Sequence, residues 1–177
     1  VNEVAQAEAL LRKRFVQYWL HNGFLTINKE KMSKSLGNFF TIREIRAKYN
    51  PEVIRLFLVS SHYRSPIDFS DQQLEEAKTR LARIHNAIEL LQRQLKNARD
   101  AETGARSKPS SADAELLLAL EELRREFEQA MDDDFNTPVA LASLSKFLSR
   151  ANSLVAGAGG ITAGALEECL AVLDAIG

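Results

Sequence analysis

With one cysteine, Cys169, the chain has no internal disulfide to staple it, which fits a reducing cytosol. No apolar run approaches the roughly 18 residues that a membrane helix needs, so a spanning helix is excluded, and no secretory leader is visible. Net charge is only −1, so the chain as a whole is no polycation. The first residue is Val1, and a helical pattern starts at once without a lead-in. The end at Ala175-Ile176-Gly177 is equally abrupt, so the sequence reads as a piece of a longer protein.

What is present is an ordinary globular composition, 45% hydrophobic over 177 residues, enough for one large domain or two small ones. The charge is unevenly spread: +5 over residues 1–50, +1 over 51–100 and −7 over 101–177. A basic front and an acidic back suit a protein that meets an anion near its front end.

Apolar spacing predicts a helix from Asn2 to about Lys13, through Val4, Ala7, Leu10 and Leu11. Phe15 to Leu20 is aromatic and β-prone, His21-Asn22-Gly23 marks a turn, and Phe24 to Ile27 is a second strand candidate. Residues 28–39 read as a polar loop. Thr41 with Glu44 forms a capping box, and Asn50-Pro51-Glu52 is a cap followed by a first-turn proline and acid. Val53 to Val59 is almost wholly apolar and expected to be buried; Ser61 to Phe69 reads as a loop around Pro66. Ser70 and Gln73 open a long helix with Leu74, Ala77, Leu81, Ile84, Ile88, Leu91 and Leu95 on one face. That face is read as core packing, since strict heptads do not persist. After a small polar linker over residues 100–112, further helices are expected from Asp113 to Ala130, from Thr137-Pro138 to the glycines at 157–160, and from Thr162 onward. Short connections make this an antiparallel bundle.

The chemistry is concentrated in Lys31-Met32-Ser33-Lys34-Ser35, two ammonium groups and two hydroxyls within five residues, followed by Gly37. Such a loop can embrace a polyphosphate: lysines neutralise charge on the α-phosphate and departing pyrophosphate, and hydroxyls and backbone N–H groups add hydrogen bonds. No covalent step from the protein is required. Composition alone would favour a solvated lysine-serine loop. The whole string, preceded by His21-Asn22-Gly23-Phe24 and a strand, resembles the second signature motif of class I aminoacyl-tRNA synthetases.

The likeness extends further. Tyr18 to Leu25, Lys31 to Glu44, Ser61 to Pro66 with Phe69-Ser70, and Met131 to Pro138 are similar to the cysteinyl-tRNA synthetase family. The resemblance covers most of residues 1–156. It implies a mainly α chain: the end of a class I catalytic α/β fold over 1–40, a stem-contact segment over 41–69, and an antiparallel helical bundle of tRNA-binding type over 70–177. It further implies a cytoplasmic, monomeric parent enzyme that activates cysteine with ATP and transfers it to tRNA(Cys). Lys34 is then the foremost ATP-binding residue, with Lys31, Met32, Ser33 and Ser35 completing the loop. The family also uses a zinc ion that holds the substrate thiolate; Asn2-Glu3 matches the end of its His-His-x-Asn-Glu string, making Glu3 the one zinc ligand kept here. Read from spacing alone, Glu3 is a first-turn acid favoured by the helix dipole.

The family's first signature motif, a His-x-Gly-His-type string, is absent from these residues, so the isolated chain is expected to be inactive. Arg43, Arg46, Lys48 and Arg64 either meet the inner corner of tRNA or simply solubilise the surface. His21, His62 and His85 read as structural, Trp19 and Phe15 as packing behind the loop strand, and Cys169 as a small core residue. Two rival functions remain: a cysteine ligase of mycothiol synthesis, and a non-catalytic helical RNA-binding module. The Gly37-Asn38-Phe39-Phe40 string and the Met131 to Pro138 segment favour the synthetase, and intact Lys31 and Lys34 argue against a decayed module.

Overall fold

The computed structural model describes residues 2–27, 30–32, 41–101, 110–157 and 160–176. The chain opens with α1 (Asn2–Leu11), which ends on Arg12 in a left-handed conformation (φ 50°). Its apolar stripe lies open, with Leu10 83% exposed. Next come two short strands, β1 (Leu25–Ile27) and β2 (Glu30–Lys31), paired antiparallel with Thr26 opposite Lys31. After α2 (Ile42–Lys48) and α3 (Pro51–Val59), β3 (Ile67–Phe69) lies parallel to β1 on its other side, Thr26 opposite Asp68. The Thr26 hydroxyl donates to the Asp68 carboxylate at 2.8 Å.

Four helices follow: α4 (Asp71–Ala101), α5 (Ser111–Asp132), α6 (Thr137–Ala156) and α7 (Ala163–Ile176). α4 has 31 residues, about 46 Å at 1.5 Å rise each. That length lets it serve two cores. Near its start, Leu74 and Ala77 join Ile27, Val53, Phe57 and Phe69 beneath the small sheet. Further along, Ala87 and Leu91 join Leu116, Leu120 and Leu123 of α5, Phe147 and Leu148 of α6, and Leu166, Cys169 and Leu173 of α7.

The local helix signals take the form their chemistry dictates. Thr41 caps α2 with both halves of the box made, its hydroxyl accepting from Glu44 N–H at 3.3 Å and Glu44 accepting from Thr41 N–H at 2.6 Å. The Thr41 backbone N–H, and after it the Thr41 hydroxyl, which donates to Glu44 Oε2 at 2.9 Å, hold the Glu44 carboxyl below its ordinary value. Asn50 caps α3 by accepting from Glu52 N–H at 2.9 Å, with Pro51 in the first turn.

Several expectations fail for physical reasons. Phe15 to Leu20 forms no strand, and Phe15 (49% exposed) and Trp19 (44%) are not packed behind β1. Instead their rings lie 6.5 Å apart, with Trp19 stacked on His21 at 6.4 Å. The loops expected at 28–39 and 61–69 contain β2 and β3, which exist only because β1 supplies their hydrogen-bond partners. α3 is half buried rather than enclosed: Val53, Leu56 and Phe57 face inward while Leu58 and Val59 are exposed. The α5 start lies two residues earlier than expected, because Ser110 and Asp113 make a capping box. α6 starts at Thr137 as expected, but its cap position is Asn136, whose side chain makes no cap bond.

Candidate ATP-loop site and its supports

The first half of the basic run is mounted on the sheet. Lys31 ends β2 opposite Thr26, and Met32 is partly buried against the core that holds Ile27, Val53 and Phe69. The hairpin thus ends on an anchored methionine. Ser33, Lys34 and Ser35 lie outside the described residues, as do the neighbouring residues up to Phe40. Beside the hairpin, a cleft of about 430 Å3 is lined by Ile27, Ile45, Lys48, Tyr49, Phe69 and Asp71 among others. The Tyr49 hydroxyl donates to Asp71 at 3.5 Å; burial, then the Asp71 charge, raises its phenol above the ordinary value.

The entry to β1 is fixed by contact with the segment before β3. Gly23 N–H donates to the Tyr63 carbonyl at 2.6 Å, and Ile67 N–H donates to the Phe24 carbonyl at 2.9 Å. A Cβ on Gly23 would collide with the backbone carbonyl of Ser65, so only glycine fits this approach.

The same segment reaches the bundle. Between α5 and α6, Asp134 (φ 55°) and Phe135 (φ 56°) are both left-handed. That conformation costs a non-glycine residue roughly 1–2 kcal/mol. The cost is offset by side-chain partners from residues 62–64. Tyr63 Oη donates to Asp134 Oδ1 at 2.7 Å, Arg64 Nη2 to Oδ1 at 3.1 Å, and Arg64 Nε lies 2.8 Å from Oδ2. Arg64 Nε also donates to Tyr63 Oη at 2.7 Å. The Tyr63 ring stacks with His62 and meets Phe135 edge to face. The bond to Tyr63, then the Asp134 charge, raises the Arg64 guanidinium further above its ordinary value. In the sequence, Ser61 to Pro66 and Met131 to Pro138 are separate strings, and nothing in either says that they touch.

Of the basic residues considered for RNA, Arg43, Arg46 and Lys48 are exposed on α2, whereas Arg64 is committed to this cluster. His62 lies 3.9 Å from Asp134 and His85 3.8 Å from Glu52. Cys169 is fully buried, and burial pushes its thiol up to about 12.

Glu3 sits in the first turn of α1, its carboxyl held below the ordinary value chiefly by a hydrogen bond from its own backbone N–H. Among the described residues, no three His, Cys, Asp or Glu side chains converge to hold a metal ion. A zinc site takes three or four protein ligands. Glu3 by itself does not make one. Among the described residues no helix is long and apolar enough to cross a membrane.

Comparison with known proteins places these elements. The model of the tRNA synthetases class I (C) catalytic domain matches residues 1–79, and that of the DALR domain matches residues 126–177. The "Cysteine--tRNA ligase" of Geotalea daltonii is 52% identical over 163 residues, covering 89% of this chain and 33% of that protein. The protein of the same name from Carboxydothermus hydrogenoformans is 45% identical over 174 residues, covering 97% of this chain and 35% of its own length. The chain therefore spans about a third of the length of the curated relatives it matches. In fold, it is similar to LeuRS in a ternary complex with tRNA and LeuAMS from Agrobacterium radiobacter K84, with a TM-score of 0.67 at 19% identity. That match covers 86% of this chain and 19% of LeuRS, and it shows the sheet-to-bundle architecture alone. With one family model on the sheet segment, another on the bundle, and close to half the residues shared along nearly the whole chain, this chain belongs to the cysteine-type branch of the class I tRNA synthetases.

Proposed function

We propose that this chain contributes the ATP-contacting loop and the tRNA-facing bundle of a cysteine--tRNA ligase. The observation that carries the reading is the Lys31-Met32-Ser33-Lys34-Ser35 run, which starts from a core-anchored β-hairpin in a chain of this family. In the first step the cysteine carboxylate oxygen attacks the α-phosphorus of ATP. The bond to the bridging oxygen breaks, giving cysteinyl adenylate and pyrophosphate. Lys34 foremost, with Lys31, offsets the charge that grows on the α-phosphoryl oxygens and the leaving pyrophosphate, while Ser33, Ser35 and backbone N–H groups orient the triphosphate. In the second step a terminal ribose hydroxyl of tRNA(Cys) attacks the adenylate carbonyl carbon and AMP leaves.

On the RNA side, the α2 cations Arg43, Arg46 and Lys48 face the stem, and the bundle over 70–177 carries the remaining contact. The parent is read as a monomeric, cytoplasmic enzyme. Glu3 belongs to the carboxyl end of its zinc string, with every further ligand supplied from outside this chain. The 177 residues alone are expected to give no cysteine-dependent ATP–pyrophosphate exchange.

The test is cysteine transfer to tRNA(Cys) by the full-length parent, wild type beside Lys34→Ala. Removing one charge contact made in the transition state should lower charging by roughly 100-fold or more. Activation of cysteine without charging of tRNA would point to an amino-sugar ligase instead. RNA binding without any activation would leave a non-catalytic module.

A further inference from the structure

The acidic break between α5 and α6 contains Asp132, Asp133 and Asp134, and the last of them differs from its neighbour in where its bonds go. Asp133 stays local: it accepts from the Asn136 amide at 3.4 Å and lies beside the turn it belongs to. Asp134 reaches out of the turn. Its oxygens take the Tyr63 hydroxyl and both the Nε and Nη2 of Arg64, from a segment about 70 residues earlier in the chain. The left-handed backbone at Asp134 and Phe135 is what aims that carboxylate away from its own helix, and a conformation of this kind persists only where surroundings fix it.

The opposite edge of the 62–66 segment is bound to the approach to β1. The Tyr63 carbonyl receives Gly23 N–H, the Ser65 carbonyl occupies the space that a side chain at 23 would need, and Ile67 N–H binds the Phe24 carbonyl. Three residues beyond Gly23, Thr26 pairs with Lys31, the first residue of the basic run. An unbroken path of hydrogen bonds and backbone contact therefore joins the bundle to the base of the loop: Asp134 to Tyr63, Tyr63 to Gly23, and β1 to β2.

We propose that Asp134 is a positioning residue for adenylate formation, holding the β1–β2 hairpin in place through Tyr63, Arg64 and Gly23 so that Lys31 and Lys34 meet the phosphates of ATP. It touches no substrate itself. This role rests on the reading of Lys31–Ser35 as the ATP loop. It also makes the α5–α6 turn the point at which the bundle and the loop are mechanically tied.

The experiment uses the full-length parent with Asp134→Ala, Tyr63→Phe, the pair together, and Asp133→Ala for comparison. Cysteine-dependent ATP–pyrophosphate exchange gives kcat and the KM values for ATP and cysteine. Amide hydrogen exchange at Gly23 and Ile67 reports on the path itself. Misplacing a reacting group by an ångström costs up to about a hundredfold, so Asp134→Ala should lower kcat by roughly tenfold to a hundredfold, with the KM for cysteine unchanged. Gly23 and Ile67 amides should lose protection in the same variant, and the pair should be no worse than Asp134→Ala alone. Asp133→Ala should keep wild-type values in both readouts. Wild-type kcat in Asp134→Ala, or a lower kcat with Gly23 protection intact, would overturn the proposal. If Asp134→Ala does not fold, Tyr63→Phe decides by the same two readouts. A wild-type parent with no cysteine-dependent exchange sinks the ATP-loop reading and this role with it; loss of the Asp134 effect in an active parent sinks this role only.

Discussion

Asp113 on α5 holds Thr162 at the entry of α7: its Oδ1 accepts both the Thr162 N–H at 2.8 Å and the Thr162 hydroxyl at 3.0 Å. Its other oxygen accepts from Ser110 N–H at 2.6 Å, so one buried carboxylate caps its own helix and fixes the start of another.

Burial by itself would raise the Asp113 carboxyl, but hydrogen bonds from Ser110 and Thr162 together bring it below the ordinary carboxylate value. A group with a lowered folded pKa adds stability above its unfolded value of about 3.9, and that stability fades as pH falls through the folded value. Asp113→Ala should therefore destabilise the chain at neutral pH by about 1–3 kcal/mol, the cost of leaving buried donors unpaired. The deficit should shrink as pH falls below the unfolded value and through the lower folded one, where the wild-type carboxylate is itself protonated. Denaturant titrations at pH 7 and pH 3 would show this; an equal deficit at both would contradict the charged-cap account.

Gly23→Ala should fail at the sheet. The added methyl meets the Ser65 backbone carbonyl, which cannot rotate away as a side chain could. Overpacking of this kind costs roughly 1–3 kcal/mol, and here the shift would part β1 from β3. A fall in melting temperature with loss of amide protection at Ile67 is the expected result. Unchanged protection would mean that the segment yields without strain.

What could be read from the sequence is what is decided within a few residues. The Thr41–Glu44 box, the Asn50-Pro51 start and the Leu74 to Leu95 face of α4 depend only on spacing along one helix, and each stands in the structure. The exception is instructive: Ser110 with Asp113 is an equally local box, but it opens after a linker of serines and a proline that drew the boundary too late. β2 and β3 were invisible because a strand of two or three residues has no periodicity to read and exists only through its partner. The Tyr63–Asp134 bond spans 71 positions, and no spacing rule relates them. At the candidate site the position is reversed: Ser33, Lys34 and Ser35 are legible as a string, and the structure adds the anchored hairpin from which they start.

Cys169 should be silent to thiol chemistry in the folded chain. Its thiol is raised by burial first and by the Glu168 charge second, against Arg124, to about 12 from an ordinary 9.0. Neutral thiol is thus the favoured form: its contribution is whole below about pH 9 and is lost as pH rises toward the folded value. An aromatic disulfide reagent at pH 8 should label the chain only after denaturant is added. Stoichiometric labelling under native conditions would show that α7 opens from the bundle.

If the proposed function holds, the cations on α2 are where the front of the chain would meet RNA. Arg43, Arg46 and Lys48 are exposed on a helix directly after the basic run, whereas Arg64, at the same end of the chain, is held by Asp134 and Tyr63. Phosphate contacts release counterions, so each one adds about 0.7–0.9 to the slope of log affinity against log salt. In the full-length parent, changing all three α2 cations to Ala should flatten that slope for tRNA binding by roughly 2–3 if each meets a phosphate. Arg64→Ala should behave differently: little change in slope, but loosening of the β1 approach through Tyr63. An unchanged slope in the triple variant would make the α2 cations solubilising charge and move the RNA contact elsewhere on the bundle. A large slope change on Arg64→Ala alone would mean that the guanidinium leaves Asp134 to bind RNA.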